Sequence, residues 1–91
     1  MGTDNNTYQT VLEKAVKNIA SFKPKFLVIS LGFDTYKDDP IGGFKLTTNY
    51  YYMMAQTINK LNIPIIIVQE GGYDLNSLGK NVVSFLKGIL D

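Results

Sequence analysis

Apolar residues recur at Tyr8, Val11, Leu12, Ala15, Val16, Ile19 and Phe22, the spacing of one helical face. Thr7, or Thr10 with Glu13 as a capping box, are the candidate starts of that helix. Lys23-Pro24 stops it, because proline disfavours helical geometry in the residue before it. Phe26-Leu27-Val28-Ile29-Ser30-Leu31 is then a short, β-rich run without alternation, the pattern of a strand covered on both faces. A polar loop leads to Thr47 or Thr48, either of which can cap a second helix bearing Tyr51, Met54, Ala55, Ile58 and Leu61. Asn62 and Pro64 close that helix. Ile65-Ile66-Ile67-Val68 is a second buried strand, with Pro64 tolerable at its start. The loop Glu70-Gly71-Gly72-Tyr73-Asp74 precedes a third helix carrying Leu78, Val82, Phe85, Leu86 and Ile89.

The order is α-β-α-β-α. Strand, helix, strand in sequence implies a parallel pair with a right-handed crossover. Two central-type strands with three helices do not make a finished sheet. Both strands are too apolar for exposed edges, so the pattern predicts neighbours from elsewhere. The expectation is a segment of a larger parallel-sheet, three-layer α/β domain, or an obligate partner in an assembly. Ligands of open α/β sheets bind beyond the carboxyl ends of the strands. Asp34 follows the first strand and Tyr73 the second, so both loops are expected side by side on that edge.

Composition narrows the chemistry. With 91 residues there is room for one small domain at most, and 45% hydrophobic with 19% charged residues suits a packed chain rather than a disordered one. The net charge of +1, with no basic run or basic helix face, argues against nucleic-acid binding. No apolar stretch approaches the roughly 20 residues that cross a bilayer, so no membrane span is expected. Zero cysteines removes disulfides and thiolate-zinc sites, and a cytoplasmic location is the expectation. Zero histidines excludes a serine triad, since Ser30, Ser77 and Ser84 have no imidazole to activate them.

Two loops remain as candidate chemistry. Asp34 is either a turn carboxylate bonding nearby backbone N–H groups or a metal ligand on a strand end. Asp38 and Asp39, followed by Pro40, read mainly as turn chemistry. Gly71-Gly72-Tyr73 is either a tight turn with an exposed ring, or a place where substrate passes close to the backbone beside a phenol that can donate to an oxyanion. Gly79-Lys80 does not match a phosphate loop, because Asn81 stands where Ser or Thr belongs. Tyr50-Tyr51-Tyr52 with Met53-Met54 reads as one buried helix face plus two partly exposed rings.

The words "LGFDTYKDDPIGGFKLT" and "IPIIIVQEGGYDL", in that order, resemble the C-terminal part of the zinc-dependent deacetylase superfamily. That superfamily includes histone deacetylases, acetoin-utilisation proteins and acetylpolyamine amidohydrolases. The resemblance runs from about Phe22 to the C-terminus. Gly-Phe-Asp-Thr, Asp-Pro-Ile, Phe-Lys-Leu-Thr and Leu-Lys-Gly are closest in wording to the bacterial acetylpolyamine amidohydrolase branch.

The resemblance implies a role for each matching position. Asp34 falls on a zinc-binding aspartate, and Tyr73 on the tyrosine that polarises the substrate carbonyl. Ile41 matches an apolar residue lining the acyl-lysine channel, and Gly71 and Gly72 match the glycine turn that borders it. The implied reaction is hydrolysis of an acetylated amine, an acetylpolyamine or an acetyl-lysine, with zinc as cofactor. The family's other zinc ligands, an Asp and a His, and its two proton-transferring histidines are absent from these 91 residues. Residues 1–91 are therefore expected to be the C-terminal portion of one incomplete catalytic domain, inactive alone. The rest of the domain, or self-association, is the expected partner. The alternative is a non-catalytic binding or assembly module that retains the site residues.

Overall fold

The computed structural model describes residues 2–91. Its elements are α1 (Asn5–Phe22), β1 (Leu27–Gly32), a short 3-10 turn (Phe33–Thr35), α2 (Thr48–Asn59), β2 (Ile65–Glu70) and α3 (Leu75–Leu90). The α-β-α-β-α order read from the sequence is the order observed. Both strands run further toward their carboxyl ends than the apolar runs suggest, and β1 begins one residue later, at Leu27. The two pair in parallel, from Leu27 opposite Ile65 to Gly32 opposite Glu70.

The sheet is covered on one face only within the described residues. Leu27, Ile29, Leu31, Ile65 and Ile67 turn toward the core cluster, whereas Val28, Ile66 and Val68 are 55%, 52% and 48% exposed. The expectation of cover on both faces is thus not met inside this chain. Apolar runs without alternation reflect what would bury them, and here the second layer is not among the described residues.

Helix α1 starts earlier than either threonine candidate. Asp4 is its N-cap, its Oδ1 accepting the Thr7 N–H at 3.0 Å. That bond to an otherwise orphaned donor also holds the Asp4 carboxyl below its ordinary value. Thr10 lies inside the helix, its hydroxyl donating to the Asn6 carbonyl at 3.1 Å. The end is as expected: Lys23 adopts φ +57° and donates to the carbonyls of Ile19 and Ala20, with Pro24 next. Of the predicted apolar face, Tyr8 and Leu12 pack on the core, while Val11 and Phe22 stand exposed.

The centre of the molecule is the crossing of α2 and α3. Tyr50, Tyr51, Met54, Ala55 and Ile58 are buried, so two of the three consecutive tyrosines lie inside, and Tyr52 is only partly covered. Opposite them α3 buries Ser77, Asn81, Phe85 and Gly88. A Cβ at Gly88 would lie 2.4 Å from the Tyr52 carbonyl oxygen and 2.6 Å from the Ala55 Cβ, which explains why the helices approach so closely at a glycine. The polar members are satisfied: the Thr48 hydroxyl donates to Asn81 Oδ1 at 2.7 Å, and the Ser84 hydroxyl to the Thr48 carbonyl at 2.7 Å. Buried polar groups are tolerated where they find such partners. Thr47 is the N-cap of α2, yet its side chain turns to α1, where its hydroxyl accepts from Asn5 Nδ2 at 3.0 Å.

Candidate functional site at the strand ends

Gly32 and Glu70 are the last paired residues of the sheet, so the segments bearing Asp34 and Tyr73 leave it at the same level. Asp34 sits in the 3-10 turn, and its neighbours hold that turn down. Phe33 is buried with its ring 5.1 Å edge-on from Tyr51, and the Thr35 hydroxyl is 2.8 Å from the Tyr51 hydroxyl. Tyr51 therefore grips the residue on either side of Asp34 from beneath, while the Asp34 carboxyl is only partly covered.

Three glycines make room for it. A Cβ at Gly32 would lie 2.9 Å from Asp34 Oδ1, and one at Gly71 would lie 3.4 Å from Asp34 Oδ2. At Gly42 an added Cβ would meet the Asp34 carbonyl oxygen at 1.7 Å, so the returning loop presses its backbone on that of Asp34. Gly71 and Gly72 also take φ +70° and +109°, conformations that side chains rarely adopt. The Gly71 turn thus lies against the Asp34 carboxyl, as the order of elements predicts.

Asp39 ties the two loops together. Its Oδ1 accepts the N–H groups of Ile41 and Gly42 at 2.8 and 3.0 Å, and its Oδ2 accepts the Tyr73 N–H at 2.6 Å. Burial alone would raise its carboxyl, but the N–H donors of Tyr73, Ile41 and Gly42 outweigh that and hold it below its ordinary value. The turn-bonding role open for Asp34 in the sequence belongs to Asp39. One part of the Asp39 role was legible, because Asp before Pro suggests a local turn. The bond to Tyr73 was not, since it joins residues far apart in sequence. Gly42 and Tyr51 were also missed as site supports; helical periodicity puts Tyr51 on the buried face of α2 but not against the Asp34 turn, and no periodicity marks Gly42.

The expected site residues thus come together at one edge: Asp34 beside Gly71, and Ile41 and Tyr73 joined through Asp39. Tyr73 is 48% exposed and Ile41 70% exposed, so neither is buried in this chain's core. A surface depression of about 650 Å³, lined by Thr48, Tyr52, Lys80, Val83 and Lys87 among others, lies between α2 and α3, away from this edge. It is walled by helix-surface residues of mixed kind and has none of the convergent groups described above. Asp34 fits one oxygen ligand of a divalent cation, a carboxylate on a strand end with space cleared around it. Among the described residues there is no group of three His, Cys, Asp or Glu that could hold a metal ion, so a full coordination set needs donors from outside them.

The buried tyrosines of α2 predict a pH response. Burial raises the hydroxyls of Tyr50 and Tyr51 well above the ordinary 10.0, the Thr35 bond opposing this only in part at Tyr51. The folded chain therefore keeps protons that the unfolded chain releases at the ordinary value. Stability from this source is fully present below pH 10.0 and declines as pH rises above it. Thermal melts across that range, followed with phenolate absorbance, should show the midpoint falling as those tyrosines ionise. A flat midpoint would contradict it.

A parallel pair whose glycine-bearing loops meet beyond the carboxyl ends, around a carboxylate and a tyrosine, defines a strand-end site of an α/β domain. The histone deacetylase domain matches residues 1–89, and the chain belongs to that family. It is 41% identical over 88 residues to an acetylpolyamine amidohydrolase of Mycoplana ramosa, covering 97% of this chain and 26% of that protein. Acetylpolyamine amidohydrolase 1 of Pseudomonas aeruginosa is 40% identical over 87 residues, covering 96% of this chain and 25% of that protein. The crystal structure of an acetylpolyamine aminohydrolase from Burkholderia pseudomallei superposes with a TM-score of 0.92 at 38% identity, over 97% of this chain and 26% of that one. The fold is thus that of a deacetylase α/β segment, as expected from the motifs. The chain spans about a quarter of the length of the curated relatives it matches.

Proposed function

We propose that this chain carries one side of a zinc-dependent deacetylase active site, acting on an acetylated amine such as an acetylpolyamine or an acetyl-lysine. The observation that supports it most is the meeting of the Asp34 carboxyl, the Gly71 turn and the Asp39-anchored Tyr73 at one sheet edge. In this reading residues 1–91 are the C-terminal portion of a single catalytic domain. The remaining zinc ligands and the proton-transferring groups come from the rest of that domain. Val28, Ile66 and Val68 form an apolar sheet face that the rest of the domain, or a second copy, would cover. Among the described residues no helix is long and apolar enough to cross a membrane. A cytoplasmic setting belongs to the same proposal.

Each residue then has a defined task. Asp34 would supply a carboxylate oxygen to the cation, which when bound would act as a Lewis acid on the substrate carbonyl. The Tyr73 hydroxyl donates to the carbonyl oxygen as it gains charge. Gly71 and Gly72 let an extended acyl chain pass close to the backbone, and Ile41 offers it an apolar wall. The products are acetate and a free amine.

The test is reconstitution. Chain 1–91 alone should release no acetate from an acetylated diamine or an acetyl-lysine peptide. Adding the purified N-terminal portion of the domain with zinc should restore turnover, and comparing the two substrates sorts polyamine from protein lysine. A complex that assembles and binds zinc but never turns over either would favour the non-catalytic binding module.

A further inference from the structure

Tyr73 follows two glycines in left-handed conformations, at φ +70° and +109°, and is half exposed. Downstream, Asp74 is the N-cap of α3 without a side-chain capping bond, its carbonyl accepting the N–H groups of Ser77 and Leu78 at 3.1 and 3.0 Å. What ties Tyr73 to the Asp34 loop is its own N–H, donated to Asp39 Oδ2 at 2.6 Å. The other oxygen of that buried carboxylate is occupied by Ile41 and Gly42, and Gly42 is itself pressed on the Asp34 backbone.

We infer that Asp39 is a positioning residue for the reaction: its carboxylate fixes the Tyr73 backbone relative to the loop that carries Asp34 and Ile41. The inference rests on the deacetylase reading of the site and adds a residue to it. A charged acceptor suits the task, because bonds to an ionised carboxylate are shorter and roughly twice as strong as neutral ones. Asparagine cannot substitute. It has one acceptor oxygen, and whichever way it turns, its NH2 group faces an N–H donor. With two donors on one side and one on the other, the oxygen stays with Ile41 and Gly42, and Tyr73 is released.

The test is Asp39→Asn in the complete catalytic domain, assayed with an acetylated amine beside Tyr73→Phe and the double variant. Asp39→Asn should lower kcat by about ten- to a hundredfold with zinc content unchanged, the scale of a small misplacement of a catalytic group. The double variant should be no worse than Tyr73→Phe, because Asp39 acts through that phenol. Multiplying losses, or normal turnover in Asp39→Asn with Tyr73→Phe impaired, would overturn the inference alone. Normal turnover in Tyr73→Phe would overturn the site reading and this role with it. If Asp39→Asn does not fold, amide exchange in the unmodified domain decides. The Tyr73 N–H should exchange far more slowly than a free peptide amide, and free-peptide exchange would refute the anchor.

Discussion

Tyr73→Phe in the complete catalytic domain is expected to lower kcat by on the order of a hundred- to a thousandfold, with KM and bound zinc nearly unchanged. The substitution removes one hydroxyl and leaves the ring, so packing changes little at a side chain that is half exposed. The backbone anchor to Asp39 is untouched, since it uses the Tyr73 N–H. What disappears is a donor whose bond strengthens as the carbonyl oxygen becomes an oxyanion. That loss falls on the transition state rather than on ground-state binding, which is why kcat moves and KM does not. Steady-state kinetics with metal analysis on the same preparation check it. Turnover near that of the parent would remove Tyr73 from the chemistry.

Asp34→Ala should act by a different route, through the metal. The purified variant should contain little zinc and show background turnover, whereas Tyr73→Phe keeps its zinc. The fold should tolerate the change. The buried Phe33 ring and the Thr35–Tyr51 contact hold the 3-10 turn, and the backbone donors of the loop are taken up by Asp39. Metal analysis and a thermal melt on one sample separate the two effects. Full zinc content in Asp34→Ala would reject the ligand assignment. A large fall in melting midpoint would instead make Asp34 a structural carboxylate.

The pair of predictions depends on two loops meeting, and that much was readable. Apolar runs at Leu27–Leu31 and Ile65–Val68 separated by a helical pattern imply parallel strands, whose carboxyl ends share an edge. The helix boundaries were readable where a backbone rule acts locally, as at Pro24, whereas α2 ends at Asn59, three residues before the left-handed Asn62. They failed where a side chain decides, as at Asp4, whose capping carboxylate precedes any apolar residue of α1. On α3 the expected Leu78, Val82, Phe85 and Ile89 do pack on the core, while Leu86 is exposed and the most buried positions include three that are not apolar by pattern. Ser77, Asn81 and Gly88 are inside because the Ser77 hydroxyl donates to the Tyr36 hydroxyl, Asn81 Oδ1 accepts from the Thr48 hydroxyl, and Gly88 lets α3 close on Tyr52 and Ala55. Hydrophobic periodicity has no term for that.

By itself the sequence determined the element order, the parallel pairing, the family and the two strand-end loops, because each depends on local pattern or on short words of adjacent residues. It also identified Asp34 and Tyr73 as the groups to watch. Tertiary structure alone decided that Gly42 and Gly71 clear space around Asp34, that Tyr51 braces it from below, and that Asp39 reaches across to Tyr73. Those contacts join residues distant along the chain. They exist only once β1 and β2 are in register and α2 is packed beneath their ends, where close approach of backbone and satisfaction of buried donors select the partners.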